Sequence, residues 1–206
     1  MLLALLWLIA APAGARAERV IVAFGDSLTA GLGVTAEAAY PALLQERLRR
    51  EGFDYRVVNA GVSGDTSAGG LRRVEWVLRA RPEIVIVALG ANDGLRGLPV
   101  TALRDNLTSI VARLRTGGAR VLLAGMRLPP NYGEAYTKEF AAAFPAVART
   151  TSAPLLPFLL QGVAGDAALN QPDGIHPNAA GHGVIAELVW RALRPLLTRE
   201  GVGGRI

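Results

Sequence analysis

Cysteine is absent from the 206 residues, which excludes disulfides, a cysteine nucleophile and thiolate metal sites. Histidine is scarce: only His176 and His182 occur. With no other histidine or cysteine at ligand spacing, the chain offers a poor zinc set, and no metal is expected. Lysine is reduced to Lys138 alone among 22 basic residues, so the formal charge of +5 rests on arginine. The arginines are scattered along helix-patterned stretches (Arg47, Arg49, Arg50, Arg72, Arg73, Arg113, Arg115). They do not form a basic run interleaved with aromatics, so nucleic acid is not an expected partner. Mild attraction to an anionic lipid surface is compatible with the charge. Internal repeats of 20–50 residues and disordered composition are also lacking.

Long apolar runs are missing too. Residues 2–11 are apolar, but about ten such residues fall short of a comfortable membrane span. They are followed by Ala15-Arg16-Ala17, which has the small-x-small form of a signal peptidase site. No Lys or Arg follows Met1, so the usual positive flank is missing. The expectation is an export signal cut after Ala17, leading to a periplasmic or secreted protein; an uncleaved anchor is the alternative. Residues 18–206 are then one domain, in a chain that is 51% hydrophobic and large enough for its own core.

Strand and helix patterns alternate along that domain. Residues 19–24 read as a strand, 37–50 as a helix, 55–59 as a strand and 67–80 as a helix ended by Pro82. Strands follow at 83–89 and 120–125, separated by a helix at 101–115. A helix at 135–149, a short strand at 154–157 and a last helix at 178–197, with a break at Pro195, complete the series. Continuous Val/Ile/Leu strands alternating with helices imply a parallel sheet covered on both faces. Right-handed crossovers make that a three-layer α/β/α sandwich with a five-stranded parallel sheet.

Ligands of such sheets gather outside the carboxyl ends of the strands. The first three strands lead there into Gly25-Asp26-Ser27, Gly61-Val62-Ser63-Gly64-Asp65 and Gly90-Ala91-Asn92-Asp93. A serine hydroxyl is a poor nucleophile unless a base can reach it, and the base needs a third group to orient it. His176 lies in the turn-rich stretch Gln-Pro-Asp-Gly-Ile-His-Pro-Asn, with Asp173 three residues earlier. Such an acid fixes the imidazole tautomer. His182 falls within the last helix and reads as a packed or partly exposed helical residue. Gly64, Asn92 and the N–H of Ser27 can supply donors for a developing oxyanion. Taken singly, each residue also fits a bland role: a cap for Ser27, turns for Gly64 and Asp173, an Asx turn for Asn92.

FGDSLTAG, NAGVSGDT, LGANDG and DGIHPN resemble, in order, the four sequence blocks of the SGNH (GDSL-type) hydrolases. SGDTSAGGL, GANDGLRG, MRLPPNYG and PLLPF are similar to the exported bacterial thioesterase/arylesterase/lysophospholipase subgroup. The resemblance implies a flavodoxin-like fold and hydrolysis of aryl esters, acyl thioesters or lysophospholipids through an acyl-enzyme. It assigns Ser27 as nucleophile, His176 as base and Asp173 as its orienting acid, with Ser27, Gly64 and Asn92 as oxyanion donors. No cofactor is implied. A small-molecule acyl substrate and a monomeric enzyme are expected. Ala91 departs from the glycine common in close relatives. An acyl groove is expected from Asp26, Leu95, Arg96, Leu98 and Pro99 on one side and Leu128, Pro129, Pro130 and Tyr132 on the other. The same apolar residues also fit simple coverage of the core. Two rival functions are a glycan acetyl esterase of the same superfamily and a non-catalytic flavodoxin-like binding module.

Overall fold

The computed structural model describes residues 18–198; the expected signal segment and its cleavage after Ala17 lie outside the described residues. β1 (Val20–Gly25) is followed by the short α1 (Ser27–Ala30) and then α2 (Tyr40–Arg50). β2 (Arg56–Gly61), α3 (Ser67–Arg72) and α4 (Val74–Leu78) come next, then β3 (Ile84–Ala88) and α5 (Ala91–Leu95). α6 (Val100–Thr116), β4 (Arg120–Ala124), α7 (Glu134–Thr151), β5 (Leu155–Leu156) and α8 (Ala179–Leu193) complete the fold.

All five strands pair in parallel in the order β2-β1-β3-β4-β5. This is the flavodoxin-like order, with its switch point between β1 and β3. Every residue of β1 and β3 is buried, because helices cover both faces. α2 and α8 pack together on one face; α3, α4, α6 and α7 pack on the other. The three-layer sandwich read from the sequence is therefore the architecture observed. Among the described residues, no helix is long and apolar enough to cross a membrane.

Three local differences have physical causes. The helix expected over 37–50 starts as a 3-10 turn at Ala36–Ala38, and α2 begins only at Tyr40, with Pro41 in its first turn. Proline suits that position because its missing N–H would have had no helical partner. The helix expected over 67–80 is broken at Arg73, whose φ of −106° and ψ of 10° are not helical. Its guanidinium turns inward to donate to Asp65 Oδ2 (2.6 Å), the Ala60 carbonyl (2.7 Å) and the Gly25 carbonyl (2.8 Å). It also stacks over the Phe24 ring, 4.4 Å from its centroid. The last helix ends at Leu193 and tightens into a 3-10 turn at Arg194–Leu196, as Pro195 requires.

At the opposite, amino end of the sheet, Glu83 gathers Arg19, Arg120 and the Tyr55 hydroxyl. The hydrogen bonds from Arg19, backed by Tyr55 and the charge of Arg120, hold its carboxyl down at about 2. A depressed carboxyl stabilises the fold above its unfolded value and loses that contribution as pH falls towards 2. Glu83 is partly exposed, so screening reduces the effect to about 1 kcal/mol. Glu83→Gln is expected to lower Tm at pH 7 by about 2–4 °C. Thermal scans at pH 7 and pH 2.5 check this: the gap between variant and parent should narrow markedly at the lower pH.

Candidate active site

The end of β1 delivers Asp26 and Ser27 to the carboxyl edge of the sheet. Asp26 caps α1, its Oδ1 accepting the Leu28 N–H at 3.0 Å, and this fixes Ser27 as the first helical residue. Ser27 is 8% exposed. Its Oγ lies 3.0 Å from Nε2 of His176, a residue 149 positions later. His176 sits on the segment between β5 and α8. Asp173 organises that turn: Oδ1 accepts the N–H groups of Ile175 and His176, each at 3.0 Å, and Oδ2 meets His176 Nδ1 at 2.7 Å. These hydrogen bonds, from the His176 N–H first, pull the Asp173 carboxyl down to about 2. An ionised Asp173 accepts the Nδ1 proton, which leaves Nε2 as an acceptor for the serine hydroxyl.

Gly64 and Asn92 arrive from the ends of β2 and β3. Gly64 has a φ of +78°, a left-handed conformation that glycine adopts without the Cβ clash other residues suffer. The N–H groups of Ser27 and Gly64 make no hydrogen bond among the described residues. Asn92 Nδ2 donates to the Asp65 carbonyl at 3.0 Å and lies 3.5 Å from Asp26 Oδ2. An amide nitrogen has two hydrogens; Asp65 holds one, and the other makes only the long contact with Asp26.

The sequence reading missed what holds these loops. Buried Asp93 accepts the Ser67 N–H at 2.7 Å and the Ser67 hydroxyl at 2.5 Å, and Asn106 donates to the same hydroxyl at 3.0 Å. This ties α5, which carries Asn92, to the start of α3, which follows Gly64. Arg73 fixes the other side of the Gly64 loop through Asp65. Adjacent acidic and hydroxyl residues in LGANDG and SGDTS were the available signal for the first tie. Arg73 gave none, because its neighbour Arg72 has the same chemistry.

A cavity of about 470 Å³ opens beside Ser27 and His176. Leu95 and Leu128 line it as expected, as do Pro129 and Pro130. Leu28, Met126, Phe158, Leu160 and Ile175 also line it and were not anticipated. The lining does not include Arg96, Leu98, Pro99, Tyr132 or Asp26. Arg96 donates to the Gly64 carbonyl at 2.9 Å, and the Tyr132 hydroxyl donates to the Leu95 carbonyl at 3.2 Å. Pro99 caps α6, and Leu98 faces outward, 37% exposed. Asp26 is only 1% exposed and caps α1. Arg127 lies at the cavity, over the Phe158 ring.

His182 stands apart from this group. It is buried on α8, stacked with Tyr40, and its Nδ1 accepts the Tyr40 N–H at 3.3 Å. Burial lowers its pKa, in keeping with a neutral, structural ring. Among the described residues, no group of three or more His, Asp or Glu side chains is placed to hold a metal ion.

Burial pushes the Asp26 carboxyl up to about 6, against the opposing hydrogen bond from Leu28. The folded protein therefore holds this proton more tightly than the unfolded chain. Stability from this group is greatest below about pH 4, falls as pH rises to 6, and stays reduced above that. Ionisation costs the fold on the order of 2–3 kcal/mol. Asp26→Asn keeps the capping oxygen and removes the charge. Urea denaturation should show the variant more stable than the parent by on the order of 2 kcal/mol at pH 8, with the difference shrinking towards pH 4.

The chain is similar to known proteins along most of its length. The GDSL-like Lipase/Acylhydrolase family model matches residues 23–184. Esterase TesA of Pseudomonas aeruginosa is 47% identical over 182 residues, covering 88% of this chain and 90% of its own. Thioesterase 1/protease 1/lysophospholipase L1 of Escherichia coli K12 is 39% identical over 187 residues, covering 90% of this chain and 88% of its own. A crystal structure of TesA superposes with a TM-score of 0.85 at 47% identity, covering 87% of this chain and 100% of that one. A family match over residues 23–184 and similarity along nearly the whole length of both relatives place the chain in the GDSL-like lipase/acylhydrolase family of ester hydrolases.

Proposed function

We propose that this esterase works through a covalent acyl-enzyme on Ser27. The observation that carries the reading is the unbroken line Asp173 Oδ2–His176 Nδ1 (2.7 Å) and His176 Nε2–Ser27 Oγ (3.0 Å), beside an apolar cavity. Neutral His176 takes the Ser27 proton as Oγ attacks the substrate carbonyl carbon. The resulting oxyanion is met by the N–H groups of Ser27 and Gly64 and the Asn92 amide. Collapse expels the alcohol or thiol, which takes the proton from Nε2. Water then attacks the acyl carbon with the same base, and Ser27 regains its proton as the acid product leaves.

The cavity supports an acyl chain as the buried part of the substrate. Each methylene sheltered there contributes about 0.8 kcal/mol. A glycan acetyl esterase would favour a polar, aromatic-rimmed groove; the wall here is mainly apolar away from the catalytic groups, with Arg127, Phe158 and Asn170 as the exceptions. Aryl esters, acyl thioesters and lysophospholipids share the required acyl group and differ in a leaving group directed to solvent. The names of the two relatives, an esterase and a thioesterase/lysophospholipase, support this range. Leu32, Val62, Leu98 and Ile175 are exposed in loops near the carboxyl ends of the strands, which suits brief contact with a lipid surface. All five site residues come from one chain, consistent with a monomer. Export to the periplasm or beyond rests on residues 1–17, and residues 18–206 form the single catalytic domain in this reading.

Ser27→Ala and His176→Ala are expected to lower kcat by roughly 10⁴ or more. Asn92→Ala should lower it by about 10²–10³. The Asp173 carboxyl, held down at about 2, stays ionised throughout an ordinary assay range, so it contributes no acid limb to kcat/KM. A panel of p-nitrophenyl esters, acyl thioesters and lysophospholipids over increasing chain length checks these roles. Rising kcat/KM beyond acetyl supports the acyl cavity; a sharp preference for acetyl would favour the glycan esterase instead.

A further inference from the structure

The Ser27–His176 contact joins two segments that approach each other from opposite ends of the sequence. Only one other hydrogen bond among the described residues links residues 26–34 to residues 166–178. It comes from Gln171, whose Nε2 donates to the Leu32 carbonyl at 2.6 Å and to the Pro177 carbonyl at 2.9 Å. The Gln171 backbone N–H donates to the His176 carbonyl at 2.8 Å. One residue thus holds the histidine's own carbonyl, the carbonyl after it and the turn beyond α1.

The path continues to the serine. Leu32 N–H donates to the Ser27 carbonyl at 3.1 Å. Two hydrogen bonds in series therefore connect the main chain of Ser27 to the side chain of Gln171. Gly33 shapes the seat for that side chain. A Cβ on Gly33 would stand 2.0 Å from Gln171 Oε1, and the residue's φ of +79° already disfavours one. The amide is packed into a notch that only glycine leaves open.

We propose that Gln171 is a positioning residue that sets the distance between Ser27 Oγ and His176 Nε2. This inference rests on the acyl-enzyme reading above. A hydrogen bond between a serine and an imidazole contributes about 1 kcal/mol and cannot by itself hold two separate loop segments in register. Catalysis is sensitive to that register, since a misplacement of about 1 Å can lower the rate about 10²-fold. Gln171 does not line the cavity, so its loss acts on the chemical step and spares acyl binding.

The experiment uses Gln171→Met, which keeps the volume and removes the donor, and Gln171→Ala. Both are measured for kcat, KM, Tm and the rate of labelling by a fluorophosphonate, with Ser27→Ala as a control. Both are expected to lower kcat and the labelling rate together by about 10–100-fold. KM should stay within about twofold and Tm should fall by only about 2–4 °C. Gly33→Ala, which fills the notch, should lower kcat similarly, and the double variant with Gln171→Ala should lose little more. The proposal is overturned if folded Gln171→Met keeps the parent kcat. It is also overturned if active-site titration traces the whole loss to an unfolded fraction. Turnover by Ser27→Ala at the parent rate would instead sink the acyl-enzyme reading itself, whatever Gln171 does.

Discussion

A hydrogen bond of 3.0 Å between Ser27 Oγ and His176 Nε2 closes a loop of 149 residues. The contact is weak in isolation, and the architecture exists around it. A doubly wound sheet brings the carboxyl ends of β1, β2 and β3 to one edge, on either side of the switch point. The segment after β5 then returns across the same edge with the imidazole. β1 and β3, buried along their whole length, give this edge a rigid base, so the loops that leave them inherit fixed starting points.

Rigidity at the base leaves the loops themselves to be held, and buried polar groups do this. Arg73 leaves a helix to bond the carbonyls at the ends of β1 and β2, together with Asp65. Asp93 and Ser67 lock the Asn92 and Gly64 loops together. Asp26 caps the helix turn that begins with Ser27, although its burial disfavours the ionised carboxyl. That burial is an example of stability given up where a site needs geometry. In the proposed reaction these ties hold the oxyanion donors in fixed positions, which is where electrostatic catalysis gains most.

The sequence revealed these features unequally. β1, β3 and β4 were legible because burial on both faces demands unbroken Val/Ile/Leu runs. The order of the layers followed from alternation alone. Ser27, Gly64, Asn92, Asp173 and His176 could be named because each follows a strand end or opens the last helix, and because the four blocks match a known family pattern. The break at Arg73 was hidden, since its neighbours carry a helical pattern and only the fold supplies carbonyls for its guanidinium. α5 read as a loop because Gly90, Asn92, Asp93 and Gly94 are turn-formers. The cavity wall was half legible: Leu95 and Leu128 stand next to site residues, whereas Met126, Phe158 and Leu160 are brought in from β4 and β5 by the tertiary structure. Leu98 and Tyr132 have the right chemistry for a groove but are directed elsewhere.

The most direct measurement is the mass and location of the adduct formed with a fluorophosphonate. One adduct per chain is expected, on the peptide that contains Ser27, with its formation suppressed when His176 is replaced by alanine. An adduct on any other residue, or full hydrolytic activity in a protein that forms none, would contradict the acyl-enzyme reading.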